Sequence, residues 1–342
     1  MGEQMNRRMV VGSGLAGLAF ASAPACAAVA PTPAPGEVEV LERLELVDPG
    51  RRGIPTRVHL PAGKGPFPVI IFSHGFGGDL GLYGNTARAW AGAGYIVINP
   101  THADSVRNPD PSVPAEHREV MRAIVAARGG GGGGGGREGL VALLEKPFYL
   151  ASRLADVAFL AGRLAAGEGL HPALHAKARP GPLGMAGHSY GAYTTEVLAG
   201  ARLATASRNP DAALRARFAA CMPISGQGGG RMDLTAGSFA GIRGPLFQIT
   251  GSRDFGAAGE TPQWRLEPFF QSPPGRKYAA LVEGFNHGGF DPAAGAEPAD
   301  TLRAHQLAYW DAWLRGDADA QSRLAQAAAA SRETDPIWLR TR

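Results

Sequence analysis

The segment GHSYG at residues 187–191 places a serine between two glycines, and such a serine becomes a nucleophile only when its surroundings activate it. An apolar run that ends at Ala186 precedes the segment, and a helical pattern from Ala192 to Leu198 follows it. A nucleophile at a sharp strand-to-helix turn has an unfavourable backbone conformation, so small residues two positions before and after it are needed to avoid clashes. The pattern therefore predicts Ser189 as a nucleophile presented at the start of a helix.

A serine hydroxyl is a poor nucleophile unless an imidazole accepts its proton and a carboxylate orients that imidazole. An apolar run at residues 246–250 has the character of a buried strand and leads through a turn to Asp254, at the expected carboxyl edge of a sheet. We predict Asp254 as the acid. The alternative is that Asp254 is a turn or helix-cap carboxylate, in which case Glu260 or Asp233 would replace it.

The imidazole is predicted from the next apolar run, at residues 278–282, because the loop that follows it contains His287. We predict His287 as the general base. The other histidine downstream of Ser189 is His305, which falls on a C-terminal helical pattern and is expected to pack or to face solvent.

The oxyanion formed during acyl transfer needs two preorganised N–H donors. One is expected from Tyr190, the residue after the nucleophile. The other is expected from the glycine-rich segment FSHGFGG at residues 72–78, in which Phe76 is the predicted donor. A plain strand-to-helix turn is the alternative interpretation of this segment. His74 and His188 are predicted to support these loops rather than to act as bases.

Six short apolar runs, each bounded by glycine, proline or polar turns, predict buried strands. They lie at residues 68–72, 95–98, 183–186, 219–224, 246–250 and 278–282. Apolar residues at helical spacing over 150–164 predict a helix between strands, and an amphipathic pattern over 302–314 predicts another near the C-terminus. This alternation indicates an α/β fold, with a mostly parallel central sheet flanked by helices on both faces.

The chain is predicted to consist of a short leader followed by one domain. Arg7 and Arg8 precede a moderately apolar stretch, which predicts an export signal over residues 1–30, of the twin-arginine type or an ordinary secretory one, and a periplasmic or secreted location. Residues 31–39 are expected to form a proline-rich tether and residues 40–342 a single catalytic domain. The apolar stretch is too short to predict a membrane span.

An unbroken run of glycines occupies residues 129–136. We predict a flexible loop here, because ordering consecutive glycines in a helix or strand costs much backbone entropy. A tolerated low-complexity insertion and a substrate-covering insert are both compatible with the sequence.

The composition is ordinary for a globular protein, with 44% hydrophobic and 19% charged residues among 342. The formal charge of +4 comes mostly from scattered arginines, which argues against nucleic-acid binding. Cys26 lies in the expected leader, so no disulfide is expected in the mature chain, and Cys221 is expected to be a buried small hydrophobe. The sequence contains no zinc-ligand cluster, and no cofactor or metal is expected.

Together, several of these segments resemble the dienelactone-hydrolase-like and platelet-activating-factor-acetylhydrolase-like branch of the α/β-hydrolases. The similarity covers most of residues 40–316. The matching segments are GIPTRVHLP at 53–61, FSHGFGG at 72–78, NPTH at 99–102, the helix with Arg153 and Asp156, GHSYG at 187–191 and GSRD at 251–254. The resemblance implies the α/β-hydrolase fold and a triad of Ser189, Asp254 and His287.

This branch includes esterases that act on short acyl chains, oxidised phospholipids and polyesters. We therefore predict a serine-dependent carboxylic ester hydrolase that acts through an acyl-enzyme on small-molecule or lipid esters, of the short-chain or phospholipid type. Dienelactone hydrolases themselves use a cysteine where this chain has Ser189, which argues against that reaction. The alternatives are an acyltransferase with the same triad and a non-catalytic binding module; a long-chain lipase is disfavoured because no large apolar lid is evident.

Overall fold

The computed structural model describes residues 36–47, 52–107, 110–130 and 134–342. The predicted export signal, with its apolar stretch, and residues 31–35 of the predicted tether lie outside the described residues. The first strand begins at Val38, so the last two residues of the predicted tether belong to the folded domain.

Within the described residues, nine strands form one sheet. The strands are β1 (Val38–Val47), β2 (Gly53–Pro61), β3 (Val69–Ser73), β4 (Ile96–Pro100), β5 (Leu183–His188), β6 (Phe218–Ile224), β7 (Leu246–Arg253), β8 (Lys277–Asn286) and β9 (Ile337–Thr341). Their order is β1-β2-β4-β3-β5-β6-β7-β8-β9. The central run from β4 to β8 is parallel, whereas β1, β2 and β9 pair in antiparallel fashion.

The six predicted apolar runs are the parallel strands β3 to β8, so the predicted mostly parallel sheet with helices around it is confirmed. This is the architecture of the α/β-hydrolase fold. The outer strands β1, β2 and β9 were not predicted. In β1, polar and apolar residues are mixed along VEVLERLELV and most side chains are at least partly exposed, so it lacks the continuous apolar run of a central parallel strand.

Ten helices are found among the described residues, and they flank the sheet. They are α1 (Gly84–Gly92), α2 (Ala115–Gly130), α3 (Gly134–Leu144), α4 (Pro147–Ala166), α5 (Pro172–Lys177), α6 (Tyr190–Ala199), α7 (Ala212–Arg215), α8 (Glu267–Gln271), α9 (Ala299–Trp310) and α10 (Ala318–Ala330). Helices α4 and α9 confirm the two predicted helices, and α9 continues into a π-helical turn, Asp311–Arg315.

The prediction of a loop over the whole glycine run is wrong for its two ends. Helix α2 continues through Gly130, and α3 begins at Gly134; residues 131–133 lie outside the described residues. Each glycine costs about 1 kcal/mol relative to alanine inside a helix. Extending an existing helix nevertheless adds a hydrogen bond for each residue that is fixed, so helices nucleated by the flanking residues can extend into the run.

The core consists of two apolar layers, one on each face of the sheet. Val69 and Ile71 of β3 belong to the layer that contains residues of α4 and α6, whereas the alternate residues Ile70 and Phe72 belong to the layer with α1 and α9. Cys221 is buried, as predicted. None of the helices in the described residues has both the length and the apolar character required to cross a bilayer.

Candidate active site

The serine of the GHSYG segment lies at a sharp turn between β5 and α6. Ser189 has φ 56° and ψ −113°, a conformation that residues with a side chain rarely adopt. A Cβ atom on Gly187 would lie 2.3 Å from the carbonyl oxygen of Gly191, and one on Gly191 would lie 1.9 Å from the carbonyl oxygen of Ser73. Backbone contacts therefore require glycine at both positions.

The structure brings the side chains of Ser189, His287 and Asp254 into one hydrogen-bonded row. The Nε2 atom of His287 lies 3.0 Å from Ser189 Oγ, and its Nδ1 atom lies 2.8 Å from Asp254 Oδ1. The three residues follow β5, β8 and β7, whose carboxyl ends share one edge of the sheet. Asp254 is completely buried, whereas 43% of the His287 side chain is exposed. The row therefore opens to solvent at its serine and imidazole end.

The two alternative acids have other partners. Glu260 accepts a hydrogen bond from Arg231 Nε at 2.8 Å, and Asp233 forms an ion pair with Arg208 at 3.0 Å. Neither carboxylate is among the contacts of His287 found in the described part of the chain. The geometry therefore favours the predicted acid over both alternatives.

The Asp254 carboxylate has further partners that the sequence did not indicate. Arg265 places Nε 3.1 Å from Oδ1, and Thr250 donates its hydroxyl to Oδ2 at 3.0 Å. Burial by itself would raise the pKa of Asp254, but the hydrogen bond from His287 and the charge of Arg265 outweigh burial, and the net change is a lowered pKa. Asp254 is therefore ionised at neutral pH; its carboxylate accepts hydrogen bonds from His287 and Thr250 and forms an ion pair with Arg265.

The predicted oxyanion loop lies directly against the serine. A Cβ atom on Gly75 would be 3.5 Å from the Cβ of Ser189. The amide of Phe76 follows Gly75, and the amide of Tyr190 belongs to the first residue of α6, which has no acceptor within its own helix. Neither amide donates to a protein acceptor among the hydrogen bonds of the described residues. Both are therefore available to an oxygen bound beside Ser189.

A buried ion pair fixes the peptide groups on both sides of Phe76. Arg153 donates from Nη2 to the carbonyl oxygen of Gly75 at 3.3 Å, and Asp104 accepts the N–H of Gly77 at 2.9 Å. The two charged side chains lie 2.7 Å apart and are both buried. Because separating a buried charge from its partner is costly, this pair holds the loop in one conformation and thereby orients the Phe76 amide.

A second Ser-His-Asp arrangement lies beneath this loop but is fully enclosed. His102 Nε2 is 2.9 Å from Ser73 Oγ, and His102 Nδ1 is 2.9 Å from Asp156 Oδ2. All three residues have no exposed surface. Burial, reinforced by the charge of Arg153, lowers the pKa of His102 well below its ordinary value, so the imidazole is neutral. No substrate can reach the Ser73 hydroxyl, so this arrangement supports the loop above it.

The two histidines that were predicted to be structural are both buried. His74 Nε2 accepts the N–H of His102 at 3.0 Å, and burial lowers the pKa of His74 to about 3. His188 donates from Nε2 to the carbonyl oxygen of His287 at 2.7 Å, and burial lowers its pKa well below the ordinary value. His188 thus holds the loop that carries the exposed imidazole.

A buried carboxyl group that the sequence analysis did not consider lies near the serine turn. Glu196 of α6 accepts hydrogen bonds from the N–H of Gln227 and the side-chain amide of Gln248, each at 3.0 Å. Gln227 also donates from Nε2 to the carbonyl oxygen of Ser189 at 3.4 Å. Glu196 is the one acidic residue in the α6 segment YGAYTTEVLA, which is the signal that could have identified it. Burial raises the pKa of Glu196 to about 8.

We expect Glu196→Gln to stabilise the protein at alkaline pH. The carboxyl group loses its proton at higher pH in the folded chain than in the unfolded chain, so the free energy of unfolding falls as pH rises from about 4.5 to about 8. Glutamine removes this dependence, and we expect a gain of about 5 kcal/mol, or roughly 10 °C in Tm, at pH 9. Thermal unfolding of both proteins at pH 5 and pH 9 measures it; equal Tm differences at the two pH values would contradict the expectation.

Tyr149 of α4 connects helix α2 to the predicted oxyanion loop through aromatic contacts. The Phe76 ring packs edge-on against Tyr149 of α4, with ring centroids 4.8 Å apart. The Tyr149 hydroxyl lies 3.0 Å from His117 Nδ1 of α2. After α3, Glu145 accepts the N–H of Met232 at 2.9 Å. Helix α2 is therefore linked to the predicted oxyanion loop through one side chain of α4, Tyr149.

Among the described residues, the polar groups aligned with the Ser189 hydroxyl include one imidazole, one carboxylate and two available backbone amides. Together they can remove a proton from a serine hydroxyl and stabilise an oxyanion, which is the chemistry of acyl transfer. In the described parts of the chain, no group of three or more His, Cys, Asp and Glu side chains is arranged to hold a metal ion.

Comparison with known families yields a match over part of the chain. Residues 54–108 match the family described as platelet-activating factor acetylhydrolase, isoform II. This segment contains the oxyanion loop together with β3, α1 and β4, but not Ser189, Asp254 or His287. A comparison with curated proteins finds no match. The match confirms the resemblance to the platelet-activating-factor-acetylhydrolase-like branch of the α/β-hydrolases, and it supports an ester or lipid hydrolase in general terms.

Proposed function

We propose that this α/β-hydrolase is a serine-dependent carboxylic ester hydrolase that acts through an acyl-enzyme on short-chain or phospholipid-type esters. The observation that carries the proposal is the row from the Ser189 hydroxyl through His287 to Asp254, open to solvent at the serine. The family match supports ester hydrolysis in general, and the hydrogen-bonded row favours a serine route. Arg7 and Arg8, ahead of an apolar stretch, support a location outside the cytoplasm.

The geometry supports a two-step reaction. His287 accepts the proton of Ser189 while its oxygen attacks the ester carbonyl, and the Phe76 and Tyr190 amides donate to the oxyanion that forms. The imidazolium, stabilised by Asp254, then gives its proton to the leaving alcohol as the acyl-enzyme forms. In the second step His287 removes a proton from water, which attacks the acyl-enzyme. The proton then passes to Ser189, and the carboxylic acid is released.

Labelling with a fluorophosphonate, together with a chain-length series of nitrophenyl esters, tests this proposal. We expect one phosphonyl adduct per chain, located by peptide mass spectrometry at Ser189, and turnover of the shorter esters. Absence of labelling and turnover would contradict the proposal and favour a non-catalytic binding module. Adding acceptor alcohols distinguishes a hydrolase from an acyltransferase with the same triad. An acyltransferase would form mostly the new ester, even in water.

The rate of ester hydrolysis is expected to depend on a single ionisation in acid. Asp254 has a lowered pKa and is already ionised, and the buried His74, His102 and His188 are neutral because their pKa values are also lowered. Protonation of His287 alone then removes the base. We expect log(kcat/KM) to fall with a slope of one as pH decreases. A flat profile between acid and neutral pH, or a slope of two, would contradict the assignment.

A further inference from the structure

Arg265 is an enclosed guanidinium directly behind the imidazole and carboxylate. It is 2% exposed, and its Nε lies 3.1 Å from Asp254 Oδ1, the same oxygen that His287 Nδ1 contacts at 2.8 Å. Its Nη2 lies 3.4 Å from His287 Nδ1. One carboxylate oxygen is therefore shared between a permanent cation and the imidazole that must gain and lose a proton.

Backbone carbonyl groups hold Arg265 in this position. Nη1 donates to the carbonyl oxygens of Ser225 at 3.0 Å and Gly226 at 2.7 Å, and Nη2 donates to that of Phe255 at 3.1 Å. Nε also donates to the carbonyl oxygen of Asp254 at 2.9 Å. The guanidinium thus joins the segments that follow β6 and β7. Because its other acceptors are uncharged, its positive charge is balanced locally by the Asp254 carboxylate.

The other polar groups around the pair do not replace this cation. His188 contacts the carbonyl oxygen of His287, and burial keeps it neutral. The Ser225 hydroxyl lies 2.8 Å from His287 Nδ1 and carries no charge. The charges of Glu196 and Glu260 favour the protonated form of Arg265 without contacting it, and Glu260 is itself paired with Arg231. In the described part of the chain, Arg265 is the permanent cation in contact with Asp254.

A cation that shares a carboxylate has two effects on a neighbouring imidazole. It keeps the carboxylate ionised and fixed in orientation, which holds the imidazole in one tautomer. It also offsets part of the negative charge that would favour a protonated ring. A charge at this distance changes a proton equilibrium by about one pH unit or more.

We propose that Arg265 is a positioning residue for His287: by sharing Oδ1 of Asp254 it holds the carboxylate against the ring, and its positive charge opposes the addition of a second positive charge on that ring. The catalytic meaning of this inference rests on the proposed function. The effect of the Arg265 charge on protonation of His287 does not rest on it, because the titration of His287 can be followed without turnover.

The test compares wild type with Arg265→Gln by NMR titration of the His287 Cε1–H resonance, assigned through His287→Asn. Glutamine removes the charge, so we expect the midpoint of the titration to rise by about one pH unit. The acid limb of the pH profile of kcat/KM is expected to move to higher pH by the same amount. Arg265→Gln is also expected to lower kcat, and in an Asp254→Asn background the same substitution is expected to lower kcat much less, because the carboxylate that Arg265 orients is already absent.

Two further variants keep the test decisive. Arg231→Gln removes another arginine that is paired with a carboxylate but contacts neither Asp254 nor His287, so the titration is expected to stay as in wild type. If Arg265→Gln does not fold, Arg265→Lys keeps the charge but cannot satisfy the carboxylate and the carbonyl groups together, and a smaller upward change is expected.

An unchanged or lowered His287 midpoint in a folded Arg265 variant would overturn the inference. So would an equally large loss of kcat from Arg265→Gln in wild type and in the Asp254→Asn background, because Arg265 would then not act through the carboxylate. Failure of the proposed function is distinguishable, since it would appear as absent fluorophosphonate labelling of wild type, whatever the titration shows.

Discussion

Ser189→Ala is expected to lower kcat for a short nitrophenyl ester by about a millionfold, the size of loss seen when the serine of a triad is removed. The Ser189 hydroxyl is the group at the solvent end of the row, 3.0 Å from the imidazole that would accept its proton. The available amides of Phe76 and Tyr190 remain, so the residual rate is expected to stay above that of the uncatalysed reaction.

Ser322→Ala is the matched control for this measurement. Ser322 lies on the exposed surface of α10, where its hydroxyl donates to a backbone carbonyl, and it has no contact with the site. Both variants are expected to fold, as checked by circular dichroism, and only Ser322→Ala is expected to retain labelling by the fluorophosphonate. Turnover that survives in Ser189→Ala would show that another group is the nucleophile.

Asp254→Asn is expected to lower kcat by about ten-thousandfold, the loss found for the equivalent change in a serine protease. The carboxylate accepts hydrogen bonds from His287 and Thr250 and forms an ion pair with Arg265. An amide has no charge with which to stabilise the imidazolium, and its NH2 group competes for the ring nitrogen, which favours the wrong tautomer. Because a neutral partner no longer favours the protonated ring, the acid limb of the remaining activity is expected to move to lower pH.

Glu260→Gln and Asp233→Asn are the controls, because these carboxylates are the alternative acids and both are engaged with arginines elsewhere. Rates close to that of wild type are expected for both. If Asp254→Asn retained near-normal activity while one of these two variants lost it, the acid would be that other residue.

The local features of the fold could be predicted because each depends on a few consecutive residues. Continuous apolar runs bounded by turns marked β3 to β8, since strands buried on both faces of a parallel sheet contain few polar residues. The glycines at 187 and 191 likewise indicated the turn around Ser189. The structure of the glycine run could not be predicted in this way. Each glycine makes a helix less favourable only at its own position, and helices formed on either side extend into the run.

The residues that surround the predicted site could not be found from sequence. Arg265 is one of many arginines, and nothing nearby in sequence shows that it lies buried against Asp254. Glu196 is similar, since its partners Gln227 and Gln248 follow it by 31 and 52 positions. Such contacts depend on which strand edges meet, and this is decided when the sheet assembles.

The sequence by itself determined the class of fold, the serine turn and a short set of residues capable of acyl chemistry, because periodicity, glycine positions and side-chain type are local properties. Only the tertiary structure decided which acid faces His287, and that Ser189 is accessible while the similar arrangement at Ser73 is sealed. The physical reason is that burial and charge pairing are properties of the assembled structure. They arise between groups some 30 to 100 positions apart, and they set which carboxylate is ionised, which imidazole can titrate and which hydroxyl a substrate can reach.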